Sequence, residues 1–406
     1  MARATPHPDQ LDLFADWAAP ADPTSPRHAL ALRLAGILDA TGEITPATLT
    51  EAANATFGGT KAQGSYSAKD AYDAMEVAFN LHLARTETAE SSRLDPTAAR
   101  AKALDLTART QRLPTQTRRD PEMEEFQQFS TPPALAFVAN WVARIGAGDV
   151  MMEPSAGTGD LAIWSHIAGA RLVLNELSPR RHESLARLFP DAALYRENAE
   201  QLDNILPRTA ETVPTVIVMN PPFSATAGRV RGQRDTSNGA RHIEQALRRL
   251  QDNGRLVAIV GNGMAAGRPG FADWWREIEQ QYTVRTNIGI SGKEYAKFGT
   301  TFDNQIIVID KTGPTTQPVL TGQVDSVAAL PELLEAIRHA RPTIHHGTEP
   351  TPLEPTGRGD TRPEPDSIRP GDRTRGPGVG EDSLGGPPPA IPWDPRRGSA
   401  ARLSSC

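Results

Sequence analysis

Asn220 stands at the end of an apolar run and is followed by Pro221, Pro222 and Phe223. Proline fixes its own φ, lacks an N–H and forces the residue before it into an extended conformation. The Asn220 side-chain oxygen and the Pro221 carbonyl are therefore rigid acceptors that can hold both N–H groups of a planar amine and aim its lone pair at an electrophile. Phe223 offers a flat face on which an aromatic substrate could stack. The alternative is that these residues only terminate a strand.

A glycine loop, EPSAGTGD, begins at Glu153. Gly157 and Gly159 permit a tight turn and a close approach of the backbone to a ligand, but this pattern is weak evidence by itself. A phosphate loop is excluded because no Gly-Lys-Ser/Thr follows. Asp160, in the first turn of the next helix, disfavours a pyrophosphate at that position. Glu153 adds a second acid, which suits a ligand with an ammonium group, such as S-adenosylmethionine.

Polar residues also follow the next two apolar runs. Glu176 can accept both hydroxyls of a ribose, as acids do at this position of nucleotide-binding folds, although a solvated glutamate would fit the sequence as well. Asn198 and the backbone amide of Ala199 could bind the amino group and ring nitrogen of an adenine, yet an asparagine alone is more typical of a turn. Upstream, Thr131 precedes a proline and is predicted to be the N-cap of a helix whose positive end would bind a methionine carboxylate.

These residues need a scaffold that brings strand ends together. From about residue 126 to 311, short apolar runs alternate with stretches of helical periodicity, which predicts a mostly parallel sheet with helices on both faces. The seven runs are DVMME, RLVLNE, AALYREN, TVIVMN, RLVAIVG, TVRTNIGI and NQIIVID. Such sheets bind ligands at the carboxyl ends of their strands, which is where the polar and glycine residues stand.

Composition and periodicity divide the chain into five parts. The parts are a flexible arm (1–27), a helical domain (28–120), a catalytic domain (121–312), a short helical extension (313–342) and a disordered tail rich in proline and glycine (343–406). In the helical domain, Thr45 before a proline is a predicted N-cap, and Ser67 with Asp70 is a predicted capping box. The tail has too few apolar residues to offset the entropy lost on ordering.

The composition excludes several classes of protein. The chain has 406 residues, a formal charge of −6 and a single cysteine, Cys406. A globally basic nucleic-acid coat protein, an internal disulfide, a thiolate zinc site and an iron–sulfur cluster are therefore excluded, and no metal is expected. No apolar run approaches the roughly 18 residues that span a bilayer. The expectation is a cytoplasmic protein, associated with the nucleoid and not with a membrane.

The order of these motifs resembles that of the amino-group DNA methyltransferases that modify N6 of adenine, with the motif order of the gamma group. The resemblance covers about residues 126–311 and includes the Thr-Pro helix start, Glu-Pro-Ser-Ala-Gly-Thr-Gly, the acid after the second strand and Asn-Pro-Pro-Phe. It implies a Rossmann-like S-adenosylmethionine-dependent methyltransferase fold of seven strands, with a flipped adenine at Asn220–Phe223. The cofactor residues that it implies are Thr131, Glu153, Pro154, Ala156, Gly157, Gly159, Glu176, Asn198 and Ala199. Asn198 departs from the pattern, since many relatives have aspartate there.

Longer sequence segments look most like the N-terminal methylase region of bacterial strawberry-notch-like proteins, in which a large helicase follows. Two of these segments are LPTQTRRDPEMEEFQQFSTPP and GKEYAKFGTTFDNQIIVIDK. This resemblance implies a methylase that stands alone. Its sequence specificity is expected to come from the N-terminal helices or from a separate helicase or specificity subunit, or to be low. The DNA must be single-stranded, or the base must leave the duplex, for a base to reach Asn220. One of Tyr295, Phe298 and Phe302 is expected to close over that base, with Phe298 or Phe302 favoured, unless they are loop anchors packed on the core. Arg229 and Arg231 are expected to contact DNA phosphates, unless their loop is only solvated.

Other activities fit parts of the sequence. Enzymes that methylate a protein glutamine or ribosomal RNA share the same Asn-Pro-Pro-aromatic motif. A remnant of a mobile-element protein could bind DNA without turnover, and a dehydrogenase would use the glycine loop for its dinucleotide. The arginine-rich loop and the helicase-associated resemblance favour DNA as the substrate.

Overall fold

The apolar runs of the sequence form one mixed sheet in the computed structural model. The structure describes residues 25–116, 130–222, 238–299 and 301–344. The strands are β1 Val150–Glu153, β2 Arg171–Asn175, β3 Ala193–Tyr195, β4 Val216–Met219, β5 Arg255–Gly261, β6 Thr283–Ile290, β7 Asn304–Asp310 and β8 Leu320–Val324. All seven predicted strands are present. Strands β1, β4 and β7 are buried throughout, as expected for strands covered on both faces.

The strand order places a topological switch point between β1 and β4. The order is β3-β2-β1-β4-β5-β7-β6-β8, with β7 antiparallel to both of its neighbours and the other pairs parallel. From β1 the chain runs outward to β3 on one side, and from β4 it runs outward on the other, which opens a crevice at the carboxyl ends. Glu153 ends β1 and Asn220 follows β4, so the two motifs leave the sheet side by side. This is the Rossmann-like methyltransferase fold that the sequence predicts.

The eighth strand corrects the prediction for residues 313–342. The sequence predicts only a helix there, whereas β8 extends the sheet parallel to β6 before a helix begins. Four of the five residues of β8 are exposed, so no apolar run signals a strand. Backbone pairing with β6 holds most of the strand at the sheet edge, and Val324 is its buried residue. Within the described residues, the sheet therefore has eight strands and not seven.

Helices cover both faces of the sheet and build the N-terminal region. The α-helices are α1 Pro26–Thr41, α2 Pro46–Phe57, α3 Ala68–Thr86, α4 Pro96–Gln111, α5 Pro133–Ala143, α6 Ala162–Ile167, α7 Pro179–Leu188, α8 Leu202–Ile205, α9 Asn238–Arg249, α10 Ala272–Gln281 and α11 Leu330–His339. Short 3-10 turns lie at Lys61–Gln63, Ala89–Arg93, Ala199–Gln201, Asn262–Met264, Pro269–Phe271, Gly292–Phe298 and Val327–Ala329. Thr45 caps α2, and Ser67 forms the predicted capping box with Asp70 at α3. Within the described ranges, none of the helices combines the length and apolarity needed to cross a membrane.

The N-terminal helices pack on α5, α6 and α7, which lie on one face of the sheet. Helices α1 to α7 and α11 share a hydrophobic core with that face, whereas α8, α9 and α10 cover the opposite face. Neighbouring strand residues alternate between the two cores, as Met151 and Met152 do. Helix α1 begins at Pro26, inside the predicted arm, while residues 1–24 and the tail from 345 onward lie outside the described residues. The predicted domain boundaries stay predictions.

A buried ion pair fixes the end of the sheet opposite the switch-point crevice. Arg255 and Asp310 are both fully buried, and their side chains form two hydrogen bonds, Nε to Oδ1 at 2.7 Å and Nη2 to Oδ2 at 3.0 Å. Arg255 also donates to the carbonyls of Val142 and Ile337, which ties α5 and α11 to β5. The position of these helices therefore depends on a charge that has no access to water.

Asp310→Asn should destabilise the protein by about 3 kcal/mol, because it leaves the buried Arg255 charge without a counter-ion. Urea denaturation followed by circular dichroism measures the change. Asp273→Asn is a matched control: it removes a carboxylate from the exposed pair with Arg276 and should leave the midpoint unchanged. Equal midpoints for the two variants would contradict the role given to the buried pair.

Candidate active site

Asn220 lies at the carboxyl end of β4 and is half-buried against the segment that precedes α5. Its side-chain Nδ2 donates to the Thr131 hydroxyl at 3.0 Å. Because Nδ2 is engaged within the protein, Oδ1 is the atom left to accept from a ligand. Pro221 is buried and Pro222 half-buried, so the backbone after Asn220 is held against the protein.

Thr131 is not the N-cap that the sequence predicts. The cap position is Pro132, Pro133 occupies the first turn, and no side chain caps the helix. Both prolines fit the geometry of a helix start, which moves the start one residue along the chain. The Thr131 hydroxyl instead holds Asn220, and its backbone amide lies near the Asp160 carboxylate, whose pKa it lowers. Thr131 therefore connects the Asn-Pro-Pro motif to the glycine loop.

The glycine loop turns tightly between β1 and α6. Gly157 and Gly159 have φ values of 55° and 92°, in the region that favours glycine. A Cβ at Gly159 would lie 2.8 Å from the Phe189 ring, so packing against the end of α7 also requires glycine there. At Gly157 the nearest atom to such a Cβ would be an Arg181 nitrogen at 3.6 Å. Gly157 thus leaves space beside the backbone for a ligand, whereas Gly159 serves packing.

Asn175, which the sequence analysis missed, ties three strand ends together. Its Nδ2 donates to the carbonyls of Pro154 and Glu197, both at 2.9 Å, and its Oδ1 accepts from the Glu197 amide at 2.8 Å. Its backbone carbonyl accepts from the Ala156 amide. These bonds fix the loops after β1 and β3 relative to β2, so candidate cofactor residues from three loops keep a constant spacing.

Glu176 follows β2 at the carboxyl edge of the sheet, next to the glycine loop. One carboxylate oxygen accepts from the Gly157 amide and the other from the Ser178 amide, each at 2.8 Å. A carboxylate has about four lone-pair sites, so both oxygens can still accept from a ligand. Leu177, beside it, is half exposed and offers an apolar contact that the sequence analysis did not consider.

Asn198 is exposed after the end of β3. Its Oδ1 accepts from the Glu200 amide at 3.0 Å, as the cap of a 3-10 turn, which agrees with the turn role considered from the sequence. Its Nδ2 takes no part in that cap. Ala199 is buried in the same turn. The contact of both residues with an adenine stays a prediction.

Glu153 places a buried acid at the start of the glycine loop. Burial raises the pKa of Glu153 well above its usual range, and the neighbouring Asp160 adds to the rise. Its Oε2 has no hydrogen-bond partner among the described residues. An unpartnered buried oxygen costs free energy unless a ligand satisfies it. An ammonium group would do so, which fits the kind of ligand expected from the sequence.

Helix α3 supplies polar residues that the sequence analysis did not place at the site. Its buried polar face consists of Lys69, Asp73, Glu76 and Asn80. Asn80 donates to the Thr158 carbonyl and to the Asp160 carboxylate, both at 3.1 Å. Asp73 pairs with Arg181 of α7 at 3.1 Å. The N-terminal helical region therefore forms one wall of the glycine loop.

Tyr295 lies beside Asn220, in the turn between β6 and β7. Its ring is fully buried, and burial raises the pKa of its hydroxyl, which the contact with Asn220 partly offsets. The hydroxyl has no partner of good hydrogen-bond geometry among the described residues. Tyr295 thus lies beside Asn220, whereas the sequence favours Phe298 or Phe302 next to a bound base.

Phe298 and Phe302 differ in exposure. Phe298 is 7% exposed, whereas Phe302 is 58% exposed. Phe298 therefore fits the alternative of a core anchor, and Phe302 fits a residue that stacks on a ligand. Phe223, Arg229 and Arg231 lie outside the described residues, and their roles stay predictions. In the described ranges no group of three or more histidine, cysteine, aspartate or glutamate side chains could hold a metal ion.

No protein-family model and no curated protein matches this chain. A class I S-adenosylmethionine-dependent methyltransferase described from Listeria monocytogenes is 13% identical, with a TM-score of 0.44 and a match covering 78% of this chain and 98% of that one. A type I restriction-modification methyltransferase subunit from Streptococcus thermophilus is 15% identical, with a TM-score of 0.42 and coverage of 74% and 64%. A protein described as a type I modification subunit from Vibrio vulnificus YJ016 is 16% identical, with a TM-score of 0.40, and the chain spans about half of it, 47%.

Two buried acids make a contribution to stability that falls as the pH rises. Burial, with Asp160 and Asp73 nearby, raises the pKa of Glu76 to about 7, and burial raises the pKa of Asp160 to about 6. The folded state therefore keeps protons on these carboxyls that the unfolded chain has released. Their contribution to the free energy of unfolding should fall between about pH 4.5 and pH 7, by at most about 1.4 kcal/mol per pH unit for each proton. His242 acts in the opposite direction, because burial lowers its pKa to about 4.

Glu76→Gln should flatten this fall, because glutamine cannot ionise. Melting temperatures between about pH 5 and pH 7.5 measure the slope. Glu332→Gln changes an exposed carboxylate paired with Arg100 and should keep the wild-type slope. An unchanged slope in Glu76→Gln would show that the buried carboxyl does not titrate in this range.

Proposed function

We propose that this chain is an S-adenosylmethionine-dependent methyltransferase that transfers a methyl group to N6 of adenine in DNA. The observation that carries the proposal is the placement of Asn220 beside the glycine loop at the switch point of the sheet, with Thr131 hydrogen-bonded to Asn220 and near Asp160. Open α/β sheets bind ligands in this crevice. The order of the motifs along the chain favours the adenine-N6 group among nucleotide-binding proteins.

The cofactor would lie across the loops that follow β1, β2 and β3. Glu176 would accept the ribose hydroxyls, and Asn198 with the Ala199 amide would contact the adenine ring. Leu177, half exposed next to Glu176, would cover the apolar face of that ring. Glu153 Oε2, which has no partner among the described residues, would accept from the methionine ammonium. The cofactor supplies a methyl group on an electron-poor sulfonium.

Asn220 Oδ1 and the Pro221 carbonyl would accept the two N–H groups of the target amine. The lone pair of an exocyclic amine is delocalised into its aromatic ring. Two acceptors draw the nitrogen towards tetrahedral geometry and direct the lone pair at the methyl carbon. The N–C bond forms as the S–C bond breaks, and one amine proton then leaves for solvent. Asparagine does not take that proton, so its contribution is orientation and electrostatic stabilisation.

DNA is favoured as the substrate by the residues around the motif. Arg229 and Arg231 would contact phosphates, and Phe302, which is 58% exposed, would stack on the flipped base. The likeness to the methylase region of strawberry-notch-like proteins associates the chain with a helicase. A separate helicase or specificity subunit would then present the DNA and select its sequence.

Incubation with labelled S-adenosylmethionine and either DNA, ribosomal RNA or a release factor tests the proposal. Label should enter DNA at N6 of adenine. Asn220→Ala should lower the rate by at least about 100-fold, because one of two acceptors in the transition state is lost, while cofactor affinity is retained. Asn204→Ala, an exposed asparagine, is the matched control and should keep the full rate.

Label in protein or RNA alone would overturn the choice of DNA. Cofactor binding without label in any acceptor would favour the non-catalytic DNA-binding alternative.

Glu176→Gln should weaken binding of S-adenosylmethionine by about 10- to 100-fold, because hydrogen bonds to a charged acceptor contribute roughly 1.5–3 kcal/mol. Isothermal titration calorimetry measures the affinity. Glu197→Gln changes a carboxylate on the neighbouring loop and should bind as the wild type does. Unchanged affinity in Glu176→Gln would exclude this residue as the ribose ligand.

A further inference from the structure

Glu76 of α3 and Asp160 of the glycine loop share one hydroxyl group. Thr158 Oγ1 lies 2.9 Å from Glu76 Oε2 and 3.2 Å from Asp160 Oδ2. A hydroxyl has one proton to donate, so it can satisfy only one of two ionised carboxylates. The other contact is a hydrogen bond only when that carboxyl is protonated and donates to the Thr158 oxygen. The geometry therefore favours one proton on the pair.

The remaining partners of the pair are neutral donors. Glu76 accepts from the Ser130 hydroxyl at 2.7 Å and from the Gln116 amide at 2.6 Å. Asp160 accepts from the Asn80 amide at 3.1 Å. These bonds hold both carboxyls in place without neutralising them, so the charge of the pair is set by the shared proton.

Charged groups face the pair from every element packed against it. The acids are Asp73 on α3, Glu153 at the end of β1 and Glu176 after β2, and the cations are Lys69 on α3 with Arg180 and Arg181 on α7. Tyr295 lies near Asp160 and is neutral. Asp73 contacts all three cations, Lys69, Arg180 and Arg181. Arg181 also lowers the pKa of Glu76 and of Asp160, but burial outweighs it, so a retained proton reduces the cost of burying these acids.

We propose that Glu76 and Asp160 exchange their shared proton for the positive charge of S-adenosylmethionine when the cofactor binds, which makes Glu76 a positioning residue for the cofactor site. The inference rests on the proposed function. The cofactor carries a sulfonium and an ammonium against one carboxylate, so its net charge is positive. Glu153 Oε2, which lacks a partner among the described residues and lies close enough to interact with Asp160, marks where a cation would be held. The cation then takes over the neutralising role, and the proton leaves for solvent.

The exchange fixes the direction of the pH dependence. The pKa values of Glu76 and Asp160, raised by burial to about 7 and about 6, fall when a cation binds beside them. Affinity for the cofactor should therefore rise with pH up to about pH 7, by at most about tenfold per pH unit, and then level off. If the glycine loop recognised the cofactor by shape alone, the affinity would not change with pH in this range.

Isothermal titration of the full chain with S-adenosylmethionine, in buffers of different ionisation enthalpy at about pH 6.5, counts the protons released. The wild type should release between about half a proton and one proton. Glu76→Gln and Asp160→Asn should each release far less, because the amide removes one ionisable carboxyl and lets Thr158 satisfy the other. Glu87→Gln, at a buried carboxylate paired with Lys102, should release as much as the wild type.

The outcomes separate this inference from the proposed function. Tight binding by the wild type without proton release, or undiminished release in both pair variants, would overturn the exchange and leave the methyltransferase proposal intact. Absence of binding by the folded wild-type chain between about pH 6 and pH 8 would overturn both. Melting curves of each variant confirm that it is folded, and Asp160→Asn gives the same test should Glu76→Gln not fold.

Discussion

The hydrogen bond between Asn220 and Thr131 sets the orientation of the Asn220 amide at the candidate site. An amide can turn either its oxygen or its nitrogen outward, and only the oxygen can hold an amine N–H. Because the Thr131 hydroxyl accepts from Nδ2, the oxygen is presented at the carboxyl end of β4. The backbone amide of the same threonine lies near Asp160. A shift of the segment before α5 would therefore disturb Asn220 and the glycine loop together.

The N-terminal helices contribute electrostatics as well as packing. The polar face of α3 lies against the glycine loop. There Asn80 donates to Thr158 and Asp160, and Glu76 accepts from the Thr158 hydroxyl. Acids buried in this way are costly when ionised, because the interior solvates charge poorly. This cost favours a cationic ligand. A bound cation would stabilise the ionised carboxylates, which otherwise keep a proton. The helical region and the sheet thus form one site.

Much of the fold could be predicted because its signals are local. Seven apolar runs of strand length, the cap at Thr45 and the capping box at Ser67 are all present. Strand β8 could not be predicted, because most of its side chains are exposed and its position depends on backbone pairing with β6. Thr131 was expected to cap α5, but two following prolines shift the helix start and leave its hydroxyl for Asn220.

The sequence by itself determined strands β1 to β7, the tight turn at Gly157 and Gly159 and the restricted backbone at Asn220 and Pro221, since these depend on periodicity and backbone stereochemistry. Only the tertiary structure decided that the polar face of α3 is buried, because its spacing is the same as that of a solvated helix face. Glu76 lies 82 positions from Thr158 along the chain, and Thr131 lies 89 positions from Asn220. Contacts over such separations follow from how the layers pack, which no local pattern encodes.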